Sequence, residues 1–280
     1  MRLIYRKEAR MTRKRDFKRE VIIADLHSGH RVGLTPPDWH YQGVFAKGTT
    51  TNKISRIQRE MWKFYSEAID KLKPIDGLIV NGDAIDGKGE RTGSSEQAVS
   101  DRNEQCEMAA ECINYAEADR VLMTYGTPYH TGNEEDWEDV VAGKVKNLIK
   151  IGGQEWPEIN GVIFDVKHKV SGSTVPHGRM TALARAKLWN QIWHAEHGQQ
   201  PKADVLIRSH VHYHVYCGGP GWLAMTTPAL QGFGSKFGVR QCEGLVDIGL
   251  IVFDIKSNGE TKWDFIEGRV PHTVSPSLTF

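Results

Sequence analysis

Short apolar runs rich in β-branched residues recur along the chain and alternate with longer stretches whose apolar positions repeat every three or four residues. The runs are Val21-Ile22-Ile23-Ala24, Leu78-Ile79-Val80, Val121-Leu122-Met123, Val162-Ile163-Phe164 and Val205-Leu206-Ile207. Between the first two, Ile54, Ile57, Met61, Tyr65, Ala68, Ile69 and Leu72 fall on one face of a helix predicted over residues 52–72. Residues 95–117, 134–149 and 179–196 read as helices too. This alternation predicts an α/β fold. After residue 215 the character changes. The segments 245–255 and 260–267 flank Ser257-Asn258-Gly259, an Asn-Gly hairpin signal, so mainly antiparallel strands are expected there.

Composition narrows the class. Of 280 residues, 39% are hydrophobic and 25% charged, and 8 Trp, 9 Phe and 8 Tyr supply a core, which excludes a disordered chain. No apolar stretch approaches the ~20 residues of a membrane helix, and the first residues carry charges where a signal peptide carries an apolar segment. The expectation is a cytoplasmic protein without membrane contact. Cys106, Cys112, Cys217 and Cys242 show no Cys-x-x-Cys spacing and are expected to be reduced. Residues 1–20 hold nine Lys and Arg against three acids. We therefore expect a basic arm over 1–19, able to touch nucleic acid or simply solvated, and one domain over 20–280.

Each apolar run leads within a few residues to a His, an Asp or both: Asp25-Leu26-His27, Asn81-Gly82-Asp83, Gly126-Thr127-Pro128-Tyr129-His130, His168, and His210-Val211-His212. Ligands of open α/β sheets gather at the carboxyl ends of strands, so these segments can converge on one site. Asp and imidazole suit borderline transition metals, and without thiolates among them a Cys-rich structural zinc site is not expected. In an extended backbone, residues i and i+2 of Asp-x-His and His-x-His project the same way. A carboxylate after glycine, as at Gly82-Asp83, can bridge two ions, which together bind phosphate and make hydroxide from water.

In this order the motifs resemble those of the calcineurin-like metallophosphoesterases, over roughly residues 20–215. The resemblance implies a four-layer α/β/β/α sandwich of two mixed sheets flanked by helices, with the C-terminal strands in the second sheet. It implies a centre of two divalent or trivalent ions such as Mn, Fe or Zn. Asp25, His27 and His212 would hold one ion, His168 and His210 the other, and Asp83 would bridge. The third block departs from the family's Gly-Asn-His pattern: Thr127 takes the place of the Asn ligand and His130 lies two residues further on. It is similar to a Gly-Thr-x-x-His variant of bacteriophage- and prophage-encoded members. His130 is then the acid for the leaving group or, alternatively, a ligand to the second ion.

Other histidines compete for roles. His177-Gly178 resembles the family's His-Gly step, but His177 follows Thr174-Val175-Pro176 rather than a strand, so His168 is preferred as the ligand. His30, Thr127 and His214 sit beside the ligand motifs as candidate phosphate contacts; exposed loop histidines are the alternative for His30 and His214. Lys236, in the Gly-rich stretch 232–238, and Arg240, two residues beyond it, can close over a phosphate or remain solvated. The function expected is metal-dependent hydrolysis of phosphate esters, and the basic arm and third block favour a phosphodiesterase or nuclease. A phosphomonoesterase is the nearest alternative. A non-catalytic binding scaffold, such as the sandwich of the retromer complex, is the other. Oligomeric state is not legible.

Overall fold

A computed structural model describes residues 15–40, 50–90, 93–132, 135–233 and 246–270. In chain order the elements are β1 (Phe17–Ile23), α1 (Thr50–Leu72), β2 (Gly77–Asn81), α2 (Arg102–Tyr115), β3 (Val121–Thr124), α3 (Pro128–Thr131), α4 (Trp137–Ala142), β4 (Leu148–Gly152), β5 (Glu158–Ile159), β6 (Val162–Val166), α5 (Thr181–Ile192), β7 (Val205–Arg208), β8 (Tyr216–Gly219), β9 (Trp222–Thr226), β10 (Gly249–Lys256) and β11 (Thr261–Glu267).

Two mixed sheets result. The first runs β11-β10-β1-β2-β3-β4, with β1 to β4 parallel and β10 and β11 antiparallel. The second runs β5-β6-β7-β9-β8, with β6, β7 and β9 parallel between antiparallel edges. Alternate residues of each strand face opposite ways. Ile22, Ile79, Ile251 and Phe253 of the first sheet meet Phe164, Val166, Val205, Ile207 and Met225 of the second in one buried cluster. On the outer side, Val21, Ile23, Leu78, Val80 and Met123 pack on Met61, Tyr65 and Ile69 of α1 and on Cys106, Ala109 and Ile113 of α2. Leu206 and Ala224 pack on Leu183 of α5. Helices, sheet, sheet and helix therefore form four layers around two-sided strands, which explains why the central runs are continuously apolar.

Four local expectations are corrected. The helix expected over 134–149 is only α4, which stops at Gly143 and gives way to edge strand β4. The helix expected from residue 95 starts at Arg102, because the Asp101 carboxylate caps it by accepting from the Asn103 and Glu104 N–H groups. After residue 215, β9 runs parallel to β7, although β8 and β9 are antiparallel. The hairpin β10–β11 joins the first sheet instead of the second, beside β1. Gly259, at φ +82°, supplies the left-handed residue of that hairpin's three-residue turn.

Most of the predicted arm, residues 1–14, lies outside the described residues, as do Cys242, Lys236 and Arg240. From Phe17 the chain is already strand, with Arg15 paired to Asp76 at 2.9 Å and Arg19 to Asp254 at 2.7 Å. Cys106, Cys112 and Cys217 are free thiols. Among the described residues no helix is long and apolar enough to cross a membrane.

Candidate metal centre

The loops leaving β1, β2, β3, β6 and β7 meet at one end of the sandwich. Backbone bonds from Asp25 to Gly82 (3.1 Å), His27 to Asp83 (3.0 Å) and Ser209 to His168 (2.7 Å) lace them together. Asn81, at the end of β2, ties three of them. Its Nδ2 donates to Ser209 Oγ at 2.6 Å, and its Oδ1 accepts from Thr124 Oγ1 at 2.6 Å.

Three overlapping groups of ligand atoms stand there, each within 4.8 Å of one another: Asp25, His27 and His212; Asp83, His168 and His210; and His27, Asp83 and His130. In the first, His212 Nε2 lies 3.2 Å from both Asp25 Oδ1 and His27 Nε2. In the second, His168 Nε2 lies 3.0 Å and His210 Nδ1 4.0 Å from Asp83 Oδ2. The groups adjoin, since Asp25 Oδ1 is also 4.0 Å from His168 Nε2.

The extended geometry expected for Asp-x-His and His-x-His is not what the chain adopts. Asp25, His27, Asp83, His210 and His212 all sit at positive φ, between 44° and 75°. Non-glycine residues rarely enter this region, and clusters of them mark functional sites held by the surrounding structure. The left-handed turns send His210 and His212 to different groups, where an extended strand would have kept them together. Glycine fits where the loops approach most closely. A Cβ at Gly126 would collide with the Asp83 carboxylate, and one at Gly82 with the His168 ring.

Electrostatics follow from burial among these charges. Desolvation works to raise the Asp83 carboxyl, but the neighbouring His168 and His210 hold it well below the usual carboxylate range. Burial opposes charging His168, yet the charge of Asp83 outweighs it and lifts the imidazole to about 10. His168 Nδ1 donates to the Asn81 carbonyl at 2.7 Å, which fixes the tautomer and turns Nε2 inward, the arrangement common among metal-ligating histidines. Burial, reinforced by His130 and His212, lowers His27 well below the ordinary histidine value.

Side chains without a predicted ligand role hold the loops. Thr127, expected as a phosphate contact, is buried, and its hydroxyl is committed to Asp83, 3.2 Å from each carboxylate oxygen. Glu138 of α4 is fully buried and accepts from Ala84 N at 2.8 Å and Gly126 N at 2.6 Å. Burial and the charge of Asp83 push its carboxyl up to about 8. Nothing in the acidic stretch around it distinguishes Glu138 from a solvated residue, so sequence reasoning missed it. Asp86 is buried with Oδ1 3.8 Å from His27 Nδ1 and 3.9 Å from His130 Nδ1, and desolvation raises it to about 6.

The remaining candidates separate. His130 Nδ1 donates to the Asp86 carbonyl at 2.8 Å, and its ring packs edge-on to His27 with centroids 4.4 Å apart. His30 is buried rather than exposed; burial, with Arg31, takes it down to about 3, so it stays neutral, and its Nδ1 accepts from Val32 N. His214 turns away from the site: its ring stacks 4.7 Å from Phe265, and its Nδ1 donates to the Thr226 carbonyl. His177 is exposed in a one-turn 3-10 helix, Pro176–Gly178, and joins none of the three groups.

No protein-family model and no curated protein matches the chain. Among solved structures it is similar to an archaeal phosphodiesterase, at 12% identity over 88% of this chain and 99% of that one, TM-score 0.43. It is also similar to Vps29 of Entamoeba histolytica complexed with zinc, at 13% identity over 90% and 99%, TM-score 0.42. A third is a predicted phosphoesterase from Streptococcus pneumoniae, at 10% identity over 89% and 98%, TM-score 0.35. Likeness at this level decides nothing about chemistry. What the chain itself presents is a two-sheet α/β sandwich with overlapping His and Asp groups able to hold metal.

Proposed function

We propose that the chain is a metal-dependent phosphoric ester hydrolase whose centre takes two transition-metal ions. One observation carries the reading: Asp25 Oδ1 and His168 Nε2 are buried with no well-formed hydrogen bond, and the atoms that crowd them, His212 Nε2 at 3.2 Å and Asp83 Oδ2 at 3.0 Å, belong to the same groups of carboxylate and imidazole. Unpartnered buried polar atoms are costly, and a borderline cation such as Mn, Fe or Zn satisfies this donor set. Asp25, His27 and His212 would hold one ion and His168 and His210 the other. Asp83 belongs to two of the three groups and would be shared. Two bound ions supply a hydroxide nucleophile at neutral pH and neutralise charge on phosphoryl oxygens.

The residues of the chain do the rest. Thr127 orients the Asp83 carboxylate through its own backbone N–H and its hydroxyl. The His168–Asn81 bond aims Nε2. His130, part-exposed at the rim, directs Nδ1–H to the Asp86 carbonyl, leaving Nε2 to hand a proton to the departing oxygen. Membership in the His27 and Asp83 group supports the rival role for His130, that of a ligand. Phosphodiesters are the preferred substrates, on the strength of the basic N-terminal arm.

The test is hydrolysis of bis-p-nitrophenyl phosphate and p-nitrophenyl phosphate with Mn²⁺, with chelation as control and bound metal measured by elemental analysis. Chelator-sensitive turnover, faster on the diester, is expected. Preference for the monoester would make the chain a phosphatase. Bound metal without turnover of either ester would mark a binding scaffold.

A further inference from the structure

On the outer face of the second sheet, at the carboxyl ends of β6 and β7, α5 and the sheet enclose a cleft of about 410 Å³. Its contents differ from the metal centre's. Lys167 and Lys169 enter it from either side of His168, and Arg185 enters from α5. All three are exposed, and among the described residues no ion pair engages them. Asp165 also lines the cleft, but it is buried and neutralised by Arg208 at 3.0 Å. The excess charge is therefore positive.

The helix supplies the second ingredient. Ala182, Ala186, Trp189 and Trp193 recur at three- and four-residue spacing and all line the cleft. The alanines leave room, and the two indoles stand at the far end, 53% and 36% exposed. Exposed apolar surface gathered in one place and rimmed by polar groups marks an interaction site. Trp189 keeps about half of its surface exposed in the same cleft as the three cations, and Trp193 lines that cleft one turn further on. Exposed rings next to a basic track are the combination that binds single-stranded nucleic acid, bases stacking on the rings and phosphates lying on the cations.

We propose that this cleft is a binding platform for single-stranded nucleic acid. Because Lys167 and Lys169 flank His168, a strand held there continues around the ends of β6 and β7 toward the metal centre. The proposal names the substrate of that centre and in this respect rests on the phosphodiesterase reading, but binding at the cleft stands on its own.

The test is fluorescence anisotropy of the full-length protein with a labelled, nuclease-resistant phosphorothioate oligothymidylate. Trp189→Ala, Trp193→Ala and Arg185→Ala, all exposed positions, are compared with wild type. Hydrolysis of bis-p-nitrophenyl phosphate is followed in parallel, and the basic arm is present throughout. Each tryptophan change should weaken binding on the order of 10-fold, as loss of one stacked base does, and leave the small ester untouched. Arg185→Ala should reduce the slope of log affinity against log salt by about 0.7, the value for one phosphate contact on a single strand. Wild-type affinity in the double tryptophan variant overturns the platform, as does absence of oligonucleotide binding at low salt. A change of sedimentation in that variant with unaltered binding would make the indoles a self-association surface and also overturns it. Tryptophan-dependent binding without ester hydrolysis keeps the platform and removes the phosphodiesterase reading; hydrolysis without binding does the reverse.

Discussion

Thr127 holds Asp83 twice, through its backbone N–H at 2.7 Å from Oδ1 and through its hydroxyl at 3.2 Å from both carboxylate oxygens. The carboxylate that two metal groups share is thus oriented by the residue standing where the resemblance leads one to look for an Asn ligand. Thr127→Val keeps the shape and the backbone donor but deletes the hydroxyl. Metal affinity should fall about 10–100-fold, as when outer partners of ligands are removed, with the fold retained. Asp83→Ala should instead empty both positions and abolish activity. Calorimetric metal titration distinguishes the two, and unchanged affinity in Thr127→Val would show the hydroxyl to be idle.

His168 and His177 give an internal comparison. His168 is 1% exposed and aimed by Asn81, whereas His177 lies exposed outside the groups. Bound metal per chain should drop in His168→Ala and stay at the wild-type value in His177→Ala. The opposite pattern would exchange their roles.

Glu138 bridges the β2 and β3 loops from a third element, so its loss should register first as stability. Glu138→Ala strands two N–H groups, that of buried Ala84, worth about 1–3 kcal/mol when unpaired, and that of half-buried Gly126, which costs less. Urea denaturation should show a clear fall in midpoint, smaller for Glu138→Gln, whose remaining carbonyl still accepts one bond. Equal midpoints for wild type and Glu138→Ala would mean that water replaces the carboxylate.

Much of this was legible in the sequence, for identifiable reasons. The central strands are buried on both faces, so their apolar runs announce themselves, and the Asp and His residues follow directly at their ends. Edge strand β4 was not legible, because its outward Ile149 is 63% exposed and Lys150 interrupts its apolar pattern. The β10–β11 turn was readable locally. Which sheet it joins was not, since that depends on contacts such as Arg19–Asp254, 235 residues apart. At the site, residue order indicated which Asp and His residues gather but not the left-handed backbone that sorts them into groups. His214 misled because adjacency to His212 says nothing of a ring that Phe265 draws away.

Glu20 yields a prediction in pH, remote from the metal centre. It is 4% exposed at the start of the buried part of β1, and desolvation raises its carboxyl to about 7, only partly offset by Arg120 at 3.3 Å. Between the unfolded value near 4.3 and about 7 the folded state binds more protons than the unfolded one, so stability falls as pH rises through that window. Glu20→Gln mimics the neutral carboxyl at every pH. Its melting temperature relative to wild type should therefore rise steadily from pH 5 to pH 8, by a contribution on the order of 2–3 kcal/mol. A difference independent of pH would place the charge in contact with solvent.

His130 is where the chemistry divides. Its Nδ1–H is fixed on the Asp86 carbonyl, so a single nitrogen, Nε2, is left either to carry a proton to the leaving oxygen or to bind an ion with His27 and Asp83. The two roles differ in what they respond to. If His130 is the acid, His130→Ala keeps its full metal content and loses about 10²–10⁴-fold on esters of alkyl alcohols, which cannot depart without a proton, while p-nitrophenyl esters suffer far less. If it is a ligand, the variant holds one ion more weakly, rates fall alike across leaving groups, and excess Mn²⁺ restores part of them. We expect the first pattern, because in the proposed centre Asp25, His212, His168 and His210 would already provide each ion with donors beyond Asp83 and His27. Elemental analysis combined with a leaving-group series reads both properties on the same protein, and full metal with unchanged alkyl-ester rates would exclude His130 from either role.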